Sequence, residues 1–173
     1  LGRGDPTLLE RFRREGMSAT RVQHPNAVTV LDSGVTESGI AYLVMEYLFG
    51  RSLDHELRAV GPLPLGRCAT IATAVGAALG AAHRAGIIHR DVKPGNVMLD
   101  GPRRRGFLGD LGSAAEREGD GMVPAGGCTP LYQAPESHTG RIGVTSDLYG
   151  AGIVLGDMLN GPPRFEELDY NRI

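Results

Sequence analysis

Apolar and polar positions change rhythm several times along the chain, and each change predicts an element. Between Leu8 and Val22, the side chains of Leu8, Leu9, Phe12 and Ala19 share one helical face while Glu10, Arg11, Arg13 and Arg14 occupy the other. That spacing predicts an amphipathic helix, stopped by His24-Pro25-Asn26 because the residue before a proline is pushed out of helical conformation. Two β-rich runs follow, Ala27 to Leu31 and Ile40 to Tyr47, with turn-forming Asp32-Ser33-Gly34 and Glu37-Ser38-Gly39 between them. They read as adjacent antiparallel strands. Ser52 is placed to cap a short helix running to Val60, and Gly61-Pro62-Leu63-Pro64 separates it from a long helix over Leu65 to Ala85 that Gly86 closes. Short strands are expected at Val97 to Leu99 and near Phe107 to Gly109, a long loop from Asp110 to Glu136, and a last helix from Thr145 to Leu159. Two strands and one helix before residue 50, then mostly helices, make this an α+β chain.

Composition narrows the class. With 173 residues and 41% hydrophobic content, the chain is long enough for one core and too short for two comfortable domains. A net charge of -2 gives no long-range attraction to nucleic acid or anionic membrane, so any affinity for phosphate must be local. The two cysteines, Cys68 and Cys128, lack the paired spacing of a metal site or disulfide framework, and a reducing, cytoplasmic setting is expected. The apolar stretch from Cys68 to Ala82 is fenced by Arg67 and His83 and reads as a buried helix, so no membrane segment is expected. The chain opens Leu-Gly-Arg-Gly without a leader pattern, which reads as a fragment of a longer protein or of its cytoplasmic part. Of the 18 basic Lys and Arg residues, 17 are arginine, and the one lysine is Lys93.

That lysine sits in His89-Arg90-Asp91-Val92-Lys93-Pro94-Gly95-Asn96. Phosphoryl transfer asks a protein to position a hydroxyl, hold magnesium on a nucleotide and neutralise charge on the moving group. Asp91 has the carboxylate that can accept or orient the proton of an attacking hydroxyl, and Lys93 can reach a transferred phosphate. Asn96 can ligate magnesium through its amide oxygen, and Asp110, in Gly109-Asp110-Leu111-Gly112, supplies a second metal ligand.

These motifs, in this order, resemble the Hanks-type (eukaryotic-like) protein kinases of the subset found in bacteria. The resemblance implies a protein kinase-like fold, with a partial small lobe (helix C plus two antiparallel strands) and a mostly helical large lobe. It implies one incomplete kinase domain over 1–173, with a small-lobe remnant and hinge in 1–48 and the large lobe through helix F in 49–173. Glu15 falls where the helix C glutamate belongs. Leu43-Val44-Met45-Glu46-Tyr47-Leu48 resembles the strand entering the hinge, with Met45 as gatekeeper, the backbone of Glu46 and Leu48 facing adenine, and Met98 as the floor of that pocket. The lysine of the catalytic loop marks the serine/threonine type. Gly127 to Glu136 resembles the segment that receives the substrate, in which Thr129 is expected to contact Asp91 and Lys93. Asp147 is similar to the buried aspartate of helix F that fixes the catalytic loop from behind. The implied activity is transfer of the γ-phosphate of ATP, with Mg2+, to Ser/Thr hydroxyls of protein substrates.

Plainer readings stand beside these. Glu15 fits equally well as one more charge on a wet helix face, His89 as a packed core residue, Asp147 as a helix-start hydrogen-bonding residue, and Arg103 to Arg105 as a solvated turn. The chain also departs from the family pattern, since a third-strand lysine and a complete Gly-rich loop are missing. The alternative is therefore a pseudokinase or nucleotide-binding scaffold, and the 173-residue chain by itself is expected to turn over weakly or not at all. Between Gly112 and Tyr132 the only hydroxyl side chains are Ser113 and Thr129, so Glu116, Glu118 or Asp120 is expected to substitute for a phosphate opposite Arg90.

Overall fold

In a computed structural model the described residues are 20–101, 105–117, 119–125 and 129–161. Most of the helix expected from Leu8, with Glu15 on it, lies outside them.

The first sheet is a two-stranded hairpin of β1 (Val30–Val35) and β2 (Ala41–Met45), paired antiparallel as expected but with different bounds. Asp32-Ser33-Gly34 is strand rather than turn, opposite Val44, Leu43 and Tyr42. The reversal comes at Thr36 to Gly39, where Gly39 N donates to Thr36 O at 2.9 Å and Gly39 takes a φ of 81°, a conformation that favours glycine. Gly34 stays in the strand because the Tyr42 ring lies across it; a Cβ there would sit 2.7 Å from Tyr42 Oη. The residues expected to begin the first strand instead dock on the next layer, with Val28 N donating to Leu108 O at 2.8 Å and Leu108 N to Asn26 O at 2.7 Å.

A second sheet has the order β3 (Gly50–Ser52), β5 (Val97–Asp100), β6 (Arg105–Leu108), all antiparallel. β6 starts at Arg105, two residues before the expected strand, so this arginine belongs to a strand and not to the basic turn; Arg103 and Arg104 lie outside the described residues. Helix α1 (Leu53–Val60) is capped as expected, Ser52 Oγ accepting from His55 N. Helix α2 (Leu65–Arg84) buries Cys68, Ile71, Val75, Leu79 and Ala82 along one stripe. At 20 residues with a mean hydropathy of 1.4 it is long and apolar enough to cross a membrane, yet that stripe forms the centre of the main core with Leu53, Leu57, Val97 and Leu108.

The expected long loop from Asp110 contains short ordered pieces. β7 (Ala115–Glu116) pairs with β4 (Ile87–Ile88), and β8 (Val123–Pro124) pairs with β9 (Arg141–Ile142). Two-residue pairs of this kind leave no periodicity to read in a sequence. Helix α3 (Val144–Asn160) closes the described chain. At Gly150 it presses against the loop after β4, where a Cβ would meet Val92 O at 2.9 Å and Val92 Cβ at 3.1 Å.

This close approach separates two glycines on one helix. Gly152→Ala, whose Cβ would meet nothing within 4 Å, gains only helix propensity and is expected to stabilise by about 0.5–1 kcal/mol. Gly150→Ala gains the same propensity but must displace the loop, and is expected to destabilise by about 1–3 kcal/mol. Urea denaturation of the two variants beside the parent chain measures both signs.

Candidate active site

The loop between β4 and β5 carries its side chains on a framework supplied by α3. Helix α3 starts at Gly143, whose N–H donates to Ser146 Oγ at 3.1 Å, so Asp147 is not needed as its cap. Its carboxylate, in a residue 2% exposed, turns to the loop instead. Oδ2 accepts from His89 N at 2.9 Å and from His83 Nε2 at 2.7 Å, and Oδ1 accepts from Arg90 N at 2.9 Å. Two consecutive amides on one carboxylate hold Arg90 at a φ of 71°, a conformation costly for an arginine and kept only where the surroundings over-determine it.

His89 is fully buried and uses both ring nitrogens. Nδ1 lies 3.3 Å from Asp91 N and must accept from it, so the proton is on Nε2, which donates to Gly109 O at 2.9 Å. The packed reading of His89 is thus the structural one, but the packing ties Asp91 to the strand end that carries Asp110. Gly109 N closes the same link by donating to Asn96 O at 2.8 Å.

Asp91, 6% exposed, receives donors on both carboxylate oxygens. Lys93 Nζ lies 2.5 Å from Oδ2 and Asn96 Nδ2 lies 3.1 Å from it; Thr129 N and Oγ1 each lie 3.3 Å from Oδ1. Burial pushes the carboxyl up, but the Lys93 ammonium, the Thr129 amide and the Asn96 amide together hold it below the ordinary value of 3.8. Lys93 Nζ also donates to Thr129 Oγ1 at 2.8 Å, so the four residues expected to act together meet at one carboxylate. Because Asn96 spends its NH2 on Asp91, with a further bond to Asp91 O at 2.8 Å, its amide oxygen is turned away from that carboxylate. Asp110 is exposed and left-handed, with a φ of 52°. A Cβ on Gly112 would come 3.2 Å from its Oδ1, so a side chain there would shift the Asp110 carboxylate.

On the other side of β5, Met98 packs with Val28, Leu48 and Phe107, a small apolar cluster beside the end of β2. Met45 ends β2 and is 44% exposed. The Glu46 N–H donates to Thr29 O at 2.9 Å and its carboxylate accepts from Thr29 N at 2.8 Å, which leaves the Glu46 carbonyl as the backbone group for the contact expected there. Leu48 keeps its side chain in the cluster, and its carbonyl accepts from Gly50 N at 3.1 Å. A cavity of about 830 Å³ lies elsewhere, bounded by Leu99 on the face of β5 opposite Met98 and by Arg51 and Arg67, which both pair with buried Glu56.

Sequence reasoning missed three supports. His83 on α2 reaches Asp147; Tyr132 Oη donates to Asp157 Oδ2 at 2.8 Å; and Glu136 accepts from Ser146 Oγ at 2.7 Å. Burial and the Asp157 carboxylate push the Tyr132 hydroxyl up, and burial likewise raises Asp157. Each joins residues far apart in the chain, which no local pattern announces.

Removing the Asp147 carboxylate orphans two buried main-chain donors and His83 together. Asp147→Ala is expected to cost about 3–5 kcal/mol, measured by denaturant unfolding, with faster hydrogen exchange at the His89 and Arg90 amides.

Comparison with known proteins agrees with this geometry. The family profile described as "Protein kinase domain" matches residues 3–173. The chain is 39% identical over 173 residues to the serine/threonine-protein kinase pkn3 of Myxococcus xanthus, covering 94% of this chain and 31% of that protein. It is 38% identical to PkaA of Streptomyces coelicolor and 36% identical to PknB of Mycobacterium leprae, both described as serine/threonine-protein kinases, covering 93% of this chain in each case and 30% and 27% of those proteins. The chain thus spans less than a third of the length of these relatives. With nearly its whole length inside the profile, and the loop from His89 to Asn96 assembled around one buried carboxylate, the chain belongs to the protein kinase domain family.

Proposed function

We propose that this chain carries the catalytic loop of a serine/threonine protein kinase, which transfers the γ-phosphate of ATP to Ser/Thr hydroxyls of protein substrates. The observation that carries the reading is the Asp91 carboxylate held ionised between Lys93, Thr129 and Asn96. A carboxylate that stays charged is a weak base, and a loose phosphoryl-transfer transition state asks for little more. Its work is to accept a hydrogen bond from the substrate hydroxyl, aim the oxygen, and take the proton late. Lys93 is a mobile ammonium within reach of both Asp91 and Thr129, so it can follow negative charge onto a transferred phosphoryl group as the substrate hydroxyl takes its place on Asp91. The main-chain and side-chain donors of Thr129 fix the second carboxylate oxygen, and with it the direction from which a hydroxyl can approach.

The donor set suits magnesium brought in on nucleotide phosphates. Among the described residues no three His, Cys, Asp or Glu side chains form a metal cage. Magnesium keeps much of its water and needs only one or two protein oxygens beside the phosphates. Asn96 Oδ1, freed by the commitment of its NH2 group, and the exposed Asp110 carboxylate would hold it, and the ion would supply neutralisation of phosphate charge. Met98, Leu48 and Val28 offer the apolar surface for a base. A cytoplasmic setting is part of the proposal, supported by the free, buried Cys68 thiol.

In the full-length protein, Asp91→Asn keeps the size of the side chain and removes its charge; kcat on a generic basic peptide is expected to fall by roughly 10²–10⁴-fold. An unchanged kcat would sink the assignment.

The lowered Asp91 pKa also fixes a sign. A carboxyl whose folded pKa lies below its unfolded value stabilises the fold fully above that unfolded value and loses the contribution as pH falls through the folded one. The stability difference between the parent and Asp91→Asn is therefore expected to be constant above about pH 5 and to shrink progressively as pH falls below it, followed by urea unfolding across the acid range.

A further inference from the structure

The cavity of about 830 Å³ behind β5 plays no part in the chemistry around Asp91. Its walls come from β3, Glu56 of α1, the first turns of α2 and the β5–β6 pair, and buried Ile71 and Leu99 give it an apolar floor. Met98 and Leu99 alternate along β5, so the strand separates this space from the Met98 cluster. A volume of this size, walled by regular elements, is that of a small-molecule site.

Its polar groups are arranged around one carboxylate. The Glu56 side chain is only 5% exposed, and its two oxygens take different arginines: Oε1 accepts from Arg67 Nη1 at 2.6 Å, and Oε2 pairs with Arg51 Nη2. The two guanidiniums are therefore held a carboxylate's width apart, although one belongs to β3 and the other to α2. One nitrogen of each meets Glu56, while 46% of the Arg51 side chain and 47% of the Arg67 side chain stay exposed. A guanidinium is a planar fork of several N–H donors, so both have donors left for an oxyanion. Two arginines against one glutamate leave one positive charge in excess, and Arg105 and Asp100, opposite each other in the β5–β6 register, cancel in charge. A tie between β3, α1 and α2 needs one arginine per carboxylate; the second brings a charge that the cavity wall does not balance. The first turn of α2, which has no side-chain cap, turns its positive end to the same place, and at Gly66 a Cβ would meet nothing within 4 Å, so the space in front is open.

We propose that this cavity is a binding site for a small organic anion, whose carboxylate or phosphate group lies between the Arg51 and Arg67 guanidiniums and whose apolar body rests on Ile71 and Leu99. Binding here goes beyond the proposed phosphoryl transfer and does not depend on it. Glu56 is the positioning residue: it fixes both forks before a ligand arrives, which lowers the rotamer entropy lost on binding. An oxyanion completes the charge balance of the wall, and a neutral molecule of the same shape does not.

Full-length protein is titrated without nucleotide by calorimetry, using phenylacetate, phenyl phosphate and, as an uncharged probe of similar shape, 2-phenylethanol. Either anion is expected to saturate in the millimolar range or below, with the alcohol at least about tenfold weaker. Saturation by one anion and not the other identifies the head group and supports the site. In protein labelled at isoleucine and methionine methyls, the Ile71 signal is expected to shift during the titration. Arg51→Lys keeps the charge and loses the fork, and Arg67→Gln loses the charge; each is expected to weaken the anions by about tenfold. Because both touch a buried ion pair, Gly66→Leu supplies a variant that leaves the pair alone: its side chain grows into the open space, and it is expected to melt with the parent and to abolish binding. Saturation by neither anion, equal binding of the alcohol, or unchanged binding in Gly66→Leu overturns the proposal. So does anion binding that shifts the Met98 signal and leaves Ile71 still, which puts the ligand on the other face of β5. No turnover enters these measurements, so their failure leaves the kinase reading standing, and loss of the kinase reading leaves this site standing.

Discussion

Everything chemical in this molecule hangs from the buried carboxylate of Asp147. A charge taken out of water is costly unless donors replace its hydration, and here they come from His83 and from the amides of His89 and Arg90. Those amides would themselves be buried without acceptors, so helix and loop each satisfy what the other cannot. The bargain fixes the backbone immediately before Asp91, and Gly150 allows the helix near enough for it to close. Rigidity at Asp91 is thus inherited from a neighbouring helix.

From that anchor the constraint spreads in two directions. Through the His89 ring it reaches Gly109, and so the strand end that presents Asp110; through Asp91 itself it reaches Lys93, Asn96 and Thr129. The second branch shows how competing terms settle a charge state. Burial pushes the Asp91 carboxyl up, and the donors around it outweigh burial, so the group stays ionised at neutral pH. The segment after Asp110 is drawn into the same network, by Arg90 near its start and by Thr129 near its end.

Much of this was legible along the chain and some was not. Helices α1, α2 and α3 were readable because Ser52 caps the first, the second buries an apolar stripe from Cys68 to Ala82, and Gly61, Gly86 and Gly161 stand just past their ends. The hairpin was readable as a pair, but not its register: Asp32-Ser33-Gly34 has the chemistry of a turn, and only the Tyr42 ring lying over Gly34 shows why it stays extended. Of the acids expected to stand in for a phosphate, Glu116, Glu118 and Asp120, the first and last pair elsewhere for a similar reason, and Glu118 lies outside the described residues. Charge can be counted in a sequence, whereas the partner of a charge is set by long-range packing, which puts Arg21 beside Glu116 and Arg141 beside Asp120.

The sequence by itself determined the chemistry available: one lysine, placed two residues after Asp91; an amide at Asn96; a carboxylate at Asp110 between glycines; and a threonine at position 129. Lys93 and Asn96 share one loop with Asp91, where local chain geometry is enough to make them neighbours, whereas Thr129 is brought to Asp91 from 38 positions away by the fold. Only the tertiary structure decided that Asp147 serves the loop and not its own helix, that His83 stands behind it, and that Arg90 faces carbonyls. Each of those contacts joins residues more than twenty positions apart, and burial selects them: a donor or acceptor removed from water takes whatever partner the packed chain brings within reach.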